Sequence, residues 1–173
     1  MKNNITLIGM PGAGKSTLGV VLAKKLGYRF CDTDLLIQEG YDALLSELIA
    51  SRGIDGFKKI ENEVLAGMDC ERHIIATGGS AVYGEQAMQH LGSIGVVVFI
   101  DISLPEMQKR LGSDLAARGV VMPADFTLED LYNERHPLYE RYADITIETS
   151  GIDTRTAVGM LEEALRQEGF IDG

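Results

Sequence analysis

The sequence predicts a doubly wound α/β fold, a five-stranded parallel sheet flanked by helices. Three observations carry that prediction. Short β-branched runs recur along the 173 residues, segments of helical length separate them, and the first run enters a glycine-rich turn. Strands separated in this way pair in parallel, because a parallel neighbour needs a long crossover. Right-handed crossovers then gather the strand C-termini, and the loops after them, on one ligand-binding edge. The length suits one domain with a single sizeable core, so residues 1–173 are read as one domain.

Each element has its own signal. Asn4 to Gly9 (NITLIG) reads as a buried strand running straight into the glycines. Leu18, Val21, Leu22 and Leu26 recur at helical spacing, and Gly27 follows as a C-cap. Tyr28 to Asp32 is a short second strand. Helical pieces follow from about Asp34 to Arg52 and from about Phe57 to Met68. His73 to Thr77 is a third strand, ending in Gly78-Gly79, and a helix runs near Gly84 to Leu91. Gly95 to Ile100 is a β-branched fourth strand, buried on both faces. A helix covers Leu104 to Leu111. The stretch from Gly112 to Asp125 lacks firm periodicity, holds Gly119 and Pro123, and reads as a mobile loop. Leu128, Leu131 and Tyr132 start a helix that ends near Tyr142. Asp144 to Glu148 is the fifth strand, and Val158, Leu161 and Leu165 mark a closing helix. Met68, Met88, Met107 and Met160 read as core filling on helices. His73, His90 and His136 show no ligand spacing.

Composition narrows the function classes. A hydrophobic share of 45% with 24% charged residues indicates a soluble globular protein. The net charge of −10 disfavours a general nucleic-acid partner, whose backbone such a surface repels. Cys31 and Cys70 fit no metal motif and no disulfide framework, so both read as reduced thiols. The apolar run Ile5 to Ile8 is too short for a signal-peptide core, and Ile94 to Ile100 cannot span a bilayer. The expectation is a cytoplasmic protein without a membrane partner.

The spacing Gly9-x4-Gly14-Lys15-Ser16 matches the Walker A pattern. Glycines let the backbone curl and turn consecutive N–H groups toward an anion. The following helix N-terminus adds partial positive charge. In such a loop Lys15 reaches the β- and γ-phosphates, Ser16 ligates Mg²⁺ and Thr17 bonds an α-phosphate oxygen. The ligand is therefore ATP or GTP. No Asp-x-x-Gly and no Asn-Lys-x-Asp occurs, which weighs against a GTPase. Motor and AAA-type ATPases need more chain. A small kinase remains.

Asp32 and Asp34 end the second strand on the ligand edge. Their spacing fits one carboxylate near Mg²⁺ and one near an acceptor hydroxyl, whose proton it could take. Asp34 before Leu35 equally suits a helix N-cap. Asp101 ends an apolar strand in the manner of a Walker B acid and by spacing rivals Asp32 for the metal.

The ordered set GMPGAGKST, CDTD, GFKKIE (Gly56 to Glu61), ATGGSA (Ala76 to Ala81), Arg118 in a loop and ERHPLYERYAD (Glu134 to Asp144) resembles the shikimate kinase family, P-loop kinases of the nucleoside-monophosphate-kinase-like group. The resemblance runs along nearly the whole chain. It implies P-loop kinase architecture, a monomer, a place in aromatic amino acid biosynthesis, and transfer of the γ-phosphoryl of ATP, with Mg²⁺, to the 3-hydroxyl of shikimate. It further implies that Gly12, Ala13, Gly14, Lys15, Ser16 and Thr17 bind the ATP phosphates and that Asp32 joins Ser16 at the metal, in preference to Asp101. Asp34 would contact the acceptor hydroxyl, Gly78 and Gly79 would approach the substrate, and Arg135 would grip its carboxylate. Arg118 resembles the lid arginine that stabilises charge on the moving phosphoryl, and Arg110 the residue that stacks on adenine. Lys58 takes a substrate-binding position that Glu61 would steady. Residues 112–125 would form the lid and 33–68 the substrate-binding helical segment.

Three positions depart from the family pattern. Lys58 stands where an arginine is expected and offers a point charge in place of a bidentate fork. Ser80 replaces the third glycine and adds a Cβ and hydroxyl beside the substrate. Gly119-Val120 replaces Pro-Leu after Arg118, which loosens closure. Two of the three touch the acceptor site and none removes phosphoryl-transfer machinery. A kinase of another small hydroxy acid or polyol, of gluconate type, and a non-catalytic nucleotide-binding paralogue therefore stand as alternatives. A nucleoside monophosphate kinase should show a base-binding acceptor segment, and none is identifiable.

Overall fold

The computed structural model describes residues 3–113, 115 and 119–172. Along the chain run β1 (Asn4–Ile8), α1 (Lys15–Leu26), β2 (Arg29–Asp32), α2 (Thr33–Tyr41), α3 (Leu45–Ala66), β3 (His73–Ala76), a 3₁₀ turn (Ala81–Tyr83), α4 (Glu85–Ile94), β4 (Gly95–Asp101), α5 (Leu104–Leu111), α6 (Leu128–Tyr142), β5 (Ile145–Glu148) and α7 (Thr154–Gln167). All strand pairs are parallel, in the order β2-β3-β1-β4-β5. The chain leaves β1 for one side of the sheet, fills it with β2 and β3, then crosses to β4 and β5. β1 is therefore the switch point, and a ligand crevice opens beyond its C-terminus. The glycine loop sits there.

The core follows from the strand sequences. Every residue of β1 is buried, as is every residue of β4 up to Ile100. Both strands are covered on two faces, which explains why they read as continuous apolar runs without alternation. Leu18 and Leu22 of α1 and Leu161 and Leu165 of α7, two helices that pack against each other, are part of that cover.

The structure corrects some boundaries. The helical piece expected from Asp34 to Arg52 is interrupted after Tyr41, where Asp42 adopts φ 48° and caps α2. An aspartate in this left-handed region replaces the usual glycine signal. The next helix continues through Ala66, broken at Gly53 (φ 71°, ψ 175°), close to the expected division. The 3₁₀ turn is too short to leave a period in the sequence. Met68, Met88 and Met107 are core residues, although Met68 lies beyond the α3 C-cap, and Met160 is exposed.

Candidate active site

The donor end is made almost entirely of backbone. Gly12 and Gly14 have φ 81° and 87°, a region closed to most side chains, and they curl the loop. Gly14 is the N-cap of α1, has no side chain to cap with, and no acidic residue follows in the first turn. The first N–H groups of α1 are thus left for an external anion. Lys15 is buried and folds back on the loop, donating to the carbonyls of Gly9 (2.7 Å) and Met10 (2.8 Å). Burial pulls its pKa down to about 8, with Asp34 the main opposing influence.

Ser16 and Asp32 meet across the loop: the serine hydroxyl donates to Asp32 Oδ2 at 2.8 Å. Asp32 Oδ1 also accepts from the Asp34 N–H at 2.9 Å, so Asp32 is the N-cap of α2. The capping alternative considered for Asp34 belongs to Asp32 instead, and the Asp34 side chain faces the crevice. Asp101, the rival acid, lies beside His136, with 3.2 Å from its Oδ1 to Nε2. That contact ties α6 to β4.

Three cavities lie in series. The first, about 330 Å³, is lined by Gly14, Thr17, Arg110, Thr149, Ile152 and Asp153 among others. Arg110 is held at its mouth by Glu106 (2.8 Å) and the Gly12 carbonyl (3.2 Å). The second, about 260 Å³, shares Gly14 and Thr17 with it and adds Lys15, Ser16, Asp34, Gly78 and Gly79. The third, about 20 Å³, shares Asp34, Pro11, Gly78 and Gly79 with the second and is closed by Phe57, Ser80, Val120, Val121 and Arg135. Asp34 stands at the junction of the second and third. Its burial pushes the carboxyl up to about 6, Asp32 adding to the rise and Lys15 opposing it.

The third cavity needs its glycines. A Cβ on Gly78 would sit 2.7 Å from Asp34 Oδ1 and 2.9 Å from Glu61 Oε2. One on Gly79 would sit 2.8 Å from Arg135 Nη1 and 2.9 Å from Pro11 Cδ. Arg135 is 1% exposed, and among the described residues no carboxylate lies within 4.0 Å of it. It donates to the Val121 carbonyl and, at 3.3 Å, to the Tyr83 hydroxyl. A buried cation without a counter-ion is costly, so this end of the cleft calls for an anionic group. Glu61 also departs from expectation: its Oε1 accepts from Ser80 Oγ at 2.5 Å, and burial pushes its carboxyl up to about 7.

The structure thus brings together Gly12 through Thr17, Asp32, Asp34, Gly78, Gly79, Ser80 and Arg135, with Arg110 at the far mouth. Lys58 lies at the edge of this group, its Nζ 3.7 Å from the Tyr83 ring centroid. Arg118 lies outside the described residues. Sequence reasoning missed Tyr83, Tyr139 and Val121. Tyr139 is buried, stacks on Phe99 at 5.1 Å and donates to the Gly79 carbonyl at 2.6 Å. Its only sequence signal is its place in the ERHPLY stretch.

A Walker loop at the switch point, opening on one side to a nucleoside-sized cavity and on the other to a carboxylate and a buried arginine, defines a P-loop phosphotransferase of the small-molecule kinase class. A likeness to deoxyadenosine kinase from M. mycoides (TM-score 0.58, 15% identity, 95% of this chain and 99% of that one) bears on the fold alone. A family model described as shikimate kinase matches residues 11–166. The shikimate kinase of Rippkaea orientalis is 37% identical over 165 residues, covering 94% of this chain and 86% of that protein. Shikimate kinase from Acinetobacter baumannii, solved in complex with shikimate, superposes with a TM-score of 0.83 at 27% identity, over 96% of this chain and 94% of that one. The chain belongs to the shikimate kinase family, ATP-dependent phosphotransferases that act on a hydroxyl of shikimate.

Proposed function

We propose that this chain moves the γ-phosphoryl of ATP to the 3-hydroxyl of shikimate through the three cavities in series. The observation that carries the reading is the position of Asp34 on the wall shared by the phosphate and acceptor cavities. The adenine and ribose occupy the first cavity against Arg110. The phosphates lie on the α1 N-terminus, with Lys15 released from the loop carbonyls to the β- and γ-oxygens. Ser16 and Asp32, a hydroxyl and a carboxylate in contact, are hard oxygen donors that fit Mg²⁺. When bound, that ion neutralises charge on the β- and γ-phosphates.

The acceptor carboxylate meets Arg135, which satisfies the buried guanidinium. Lys58 adds a second positive charge. Gly78 and Gly79 let the sugar-like ring approach the backbone. Asp34 accepts the hydroxyl proton as its oxygen attacks the γ-phosphorus, and the bond to the bridging oxygen of ADP breaks. Residues 112–125 form the lid. The Val121 carbonyl on Arg135 supports this role, because it occupies the guanidinium where the acceptor carboxylate would sit. Gly119 has φ 65°, a conformation closed to the proline expected there, so this lid turns differently. Arg118 on the same segment would stabilise the transferring phosphoryl. The monomeric state implied by the family resemblance is kept as part of this reading. No helix among the described residues is long and apolar enough to cross a membrane, and we read the enzyme as cytoplasmic.

Phosphorus NMR of the product mixture tests the reading. Shikimate plus Mg-ATP should give one new phosphate-ester resonance, assigned to the 3-position, and gluconate should give none. An ester with gluconate and none with shikimate would overturn it in favour of the gluconate-type alternative.

A further inference from the structure

Lys58 and Glu61 lie one turn apart on α3, yet they do not pair. Glu61 is taken by Ser80, and among the described residues no carboxylate stands within 4.0 Å of the Lys58 ammonium. The ammonium instead rests on the ring of Tyr83, 3.7 Å from its centroid. The same ring stands beside the second cation of the acceptor cavity, with Arg135 Cζ 5.3 Å from the centroid, and its hydroxyl accepts from Arg135 Nε at 3.3 Å. Tyr83 belongs to the 3₁₀ turn that directly follows Gly78-Gly79-Ser80, so α3, this turn and α6 meet at one aromatic ring. Two like charges converging on one cavity repel. A π-face attracts each of them without neutralising either, and so leaves both positive charges for an incoming anion.

We infer that Tyr83 is a positioning residue of the acceptor site: its ring holds the Lys58 ammonium, and its ring and hydroxyl hold the Arg135 guanidinium, so that both converge on the acceptor carboxylate. This rests on the proposed shikimate acceptor. It also joins two departures of the sequence into one device. Ser80 holds Oε1 of the Glu61 carboxylate, Oε2 lies buried without a partner among the described residues, and the ammonium of residue 58 is braced by the aromatic ring rather than by that acid. A lysine suits it, because a flexible ammonium can settle on a ring without needing a fork-shaped partner. Half-buried, the Tyr83 hydroxyl is held above its ordinary pKa by desolvation, so it stays a neutral phenol.

Steady-state kinetics of Tyr83→Leu and Tyr83→Phe test this, together with Lys58→Ala and the Tyr83→Leu/Lys58→Ala double variant. Tyr83→Leu should raise KM for shikimate about tenfold, with kcat and KM for ATP changed less than about twofold. Tyr83→Phe keeps the ring and should recover most of that loss. The double variant should be much less impaired than the product of the two single effects, because both act on one contact. Against the methyl ester of shikimate, which lacks the carboxylate, wild type and Tyr83→Leu should be alike. Thermal melts of both Tyr83 variants check that each is folded, and Tyr83→Phe keeps the test alive should Tyr83→Leu fail. An unchanged KM for shikimate, equal losses with the ester, or fully multiplicative effects would overturn the assignment. Wild-type turnover indifferent to shikimate would sink the acceptor reading and this assignment with it. Wild-type turnover with shikimate and an unmoved Tyr83→Leu sinks the assignment alone.

Discussion

The phosphate loop at the donor end is built from nine consecutive residues, Gly9 to Thr17, whereas the acceptor end draws on Asp34, Phe57 to Glu61, Gly78 to Tyr83, Val120 to Val121 and Arg135 to Tyr139. That loop offers backbone N–H groups and one helix terminus, with the Lys15 and Ser16 side chains added. The acceptor end binds with long side chains whose positions depend on one another. Backbone recognition of phosphate tolerates little change in residue type, and the loop keeps its full pattern. Side-chain recognition can be rebuilt, and two of the three departures, Lys58 and Ser80, fall there. The chain is thus ordinary in its phosphate loop and individual where it handles the acceptor.

That contrast can be broken most forcefully at Arg135. Arg135→Met should raise KM for shikimate roughly a hundredfold, since a buried charge-assisted contact is lost. Binding of ATP should be nearly unchanged. The melting temperature should hold or rise, because a buried cation without a carboxylate is removed. A fall in ATP affinity of similar size would mean that the two ends are not separable.

The coupling of Lys58 and Ser80 comes next. Ser80→Gly frees the Glu61 carboxylate, and Lys58→Arg supplies a fork to meet it. The double variant should lower KM for shikimate about tenfold, more than the two single changes combined. Simple additivity in the kinetics would show that Ser80 and residue 58 act independently.

The pH dependence sharpens the comparison, because each end supplies one titrating group. Asp34 must be ionised to accept a proton and Lys15 must be charged to hold phosphate. The free enzyme's kcat/KM should therefore rise through about pH 6 and fall through about pH 8. Asp34→Glu and Lys15→Arg, if active, should each move one limb only. The smallest effect concerns stability. Glu61 titrates near 7 when folded, against an ordinary 4.5, so the folded state holds an extra proton between those values. Its contribution is complete below about 4.5 and is lost as pH rises through about 7. Urea unfolding should show stability falling over that window in wild type and a shallower fall in Glu61→Gln.

Legibility in the sequence followed the same division. The five strands and the phosphate loop could be read because their signals are local: a β-branched run, a glycine spacing, an amphipathic period. Asp32 and Asp34 were legible as a pair, but which one caps α2 depends on a side-chain rotation. Glu61 was expected to steady Lys58 on the family resemblance alone. Ser80, nineteen residues later, intercepts it. Tyr83 carries no signal at all: it lies in a three-residue turn, and its importance arises only where α3 and α6 approach it.

The claim that joins both ends is that Asp34 serves the phosphate and acceptor cavities together. Its most direct test is shikimate-dependent ADP release by wild type and Asp34→Asn, with ATP affinity measured on both. Release should be strong and shikimate-dependent in wild type, fall by a factor on the order of 10²–10⁴ in Asp34→Asn, and leave ATP affinity closely similar. Wild-type rates in Asp34→Asn would contradict it and leave Asp34 a bystander on the cavity wall.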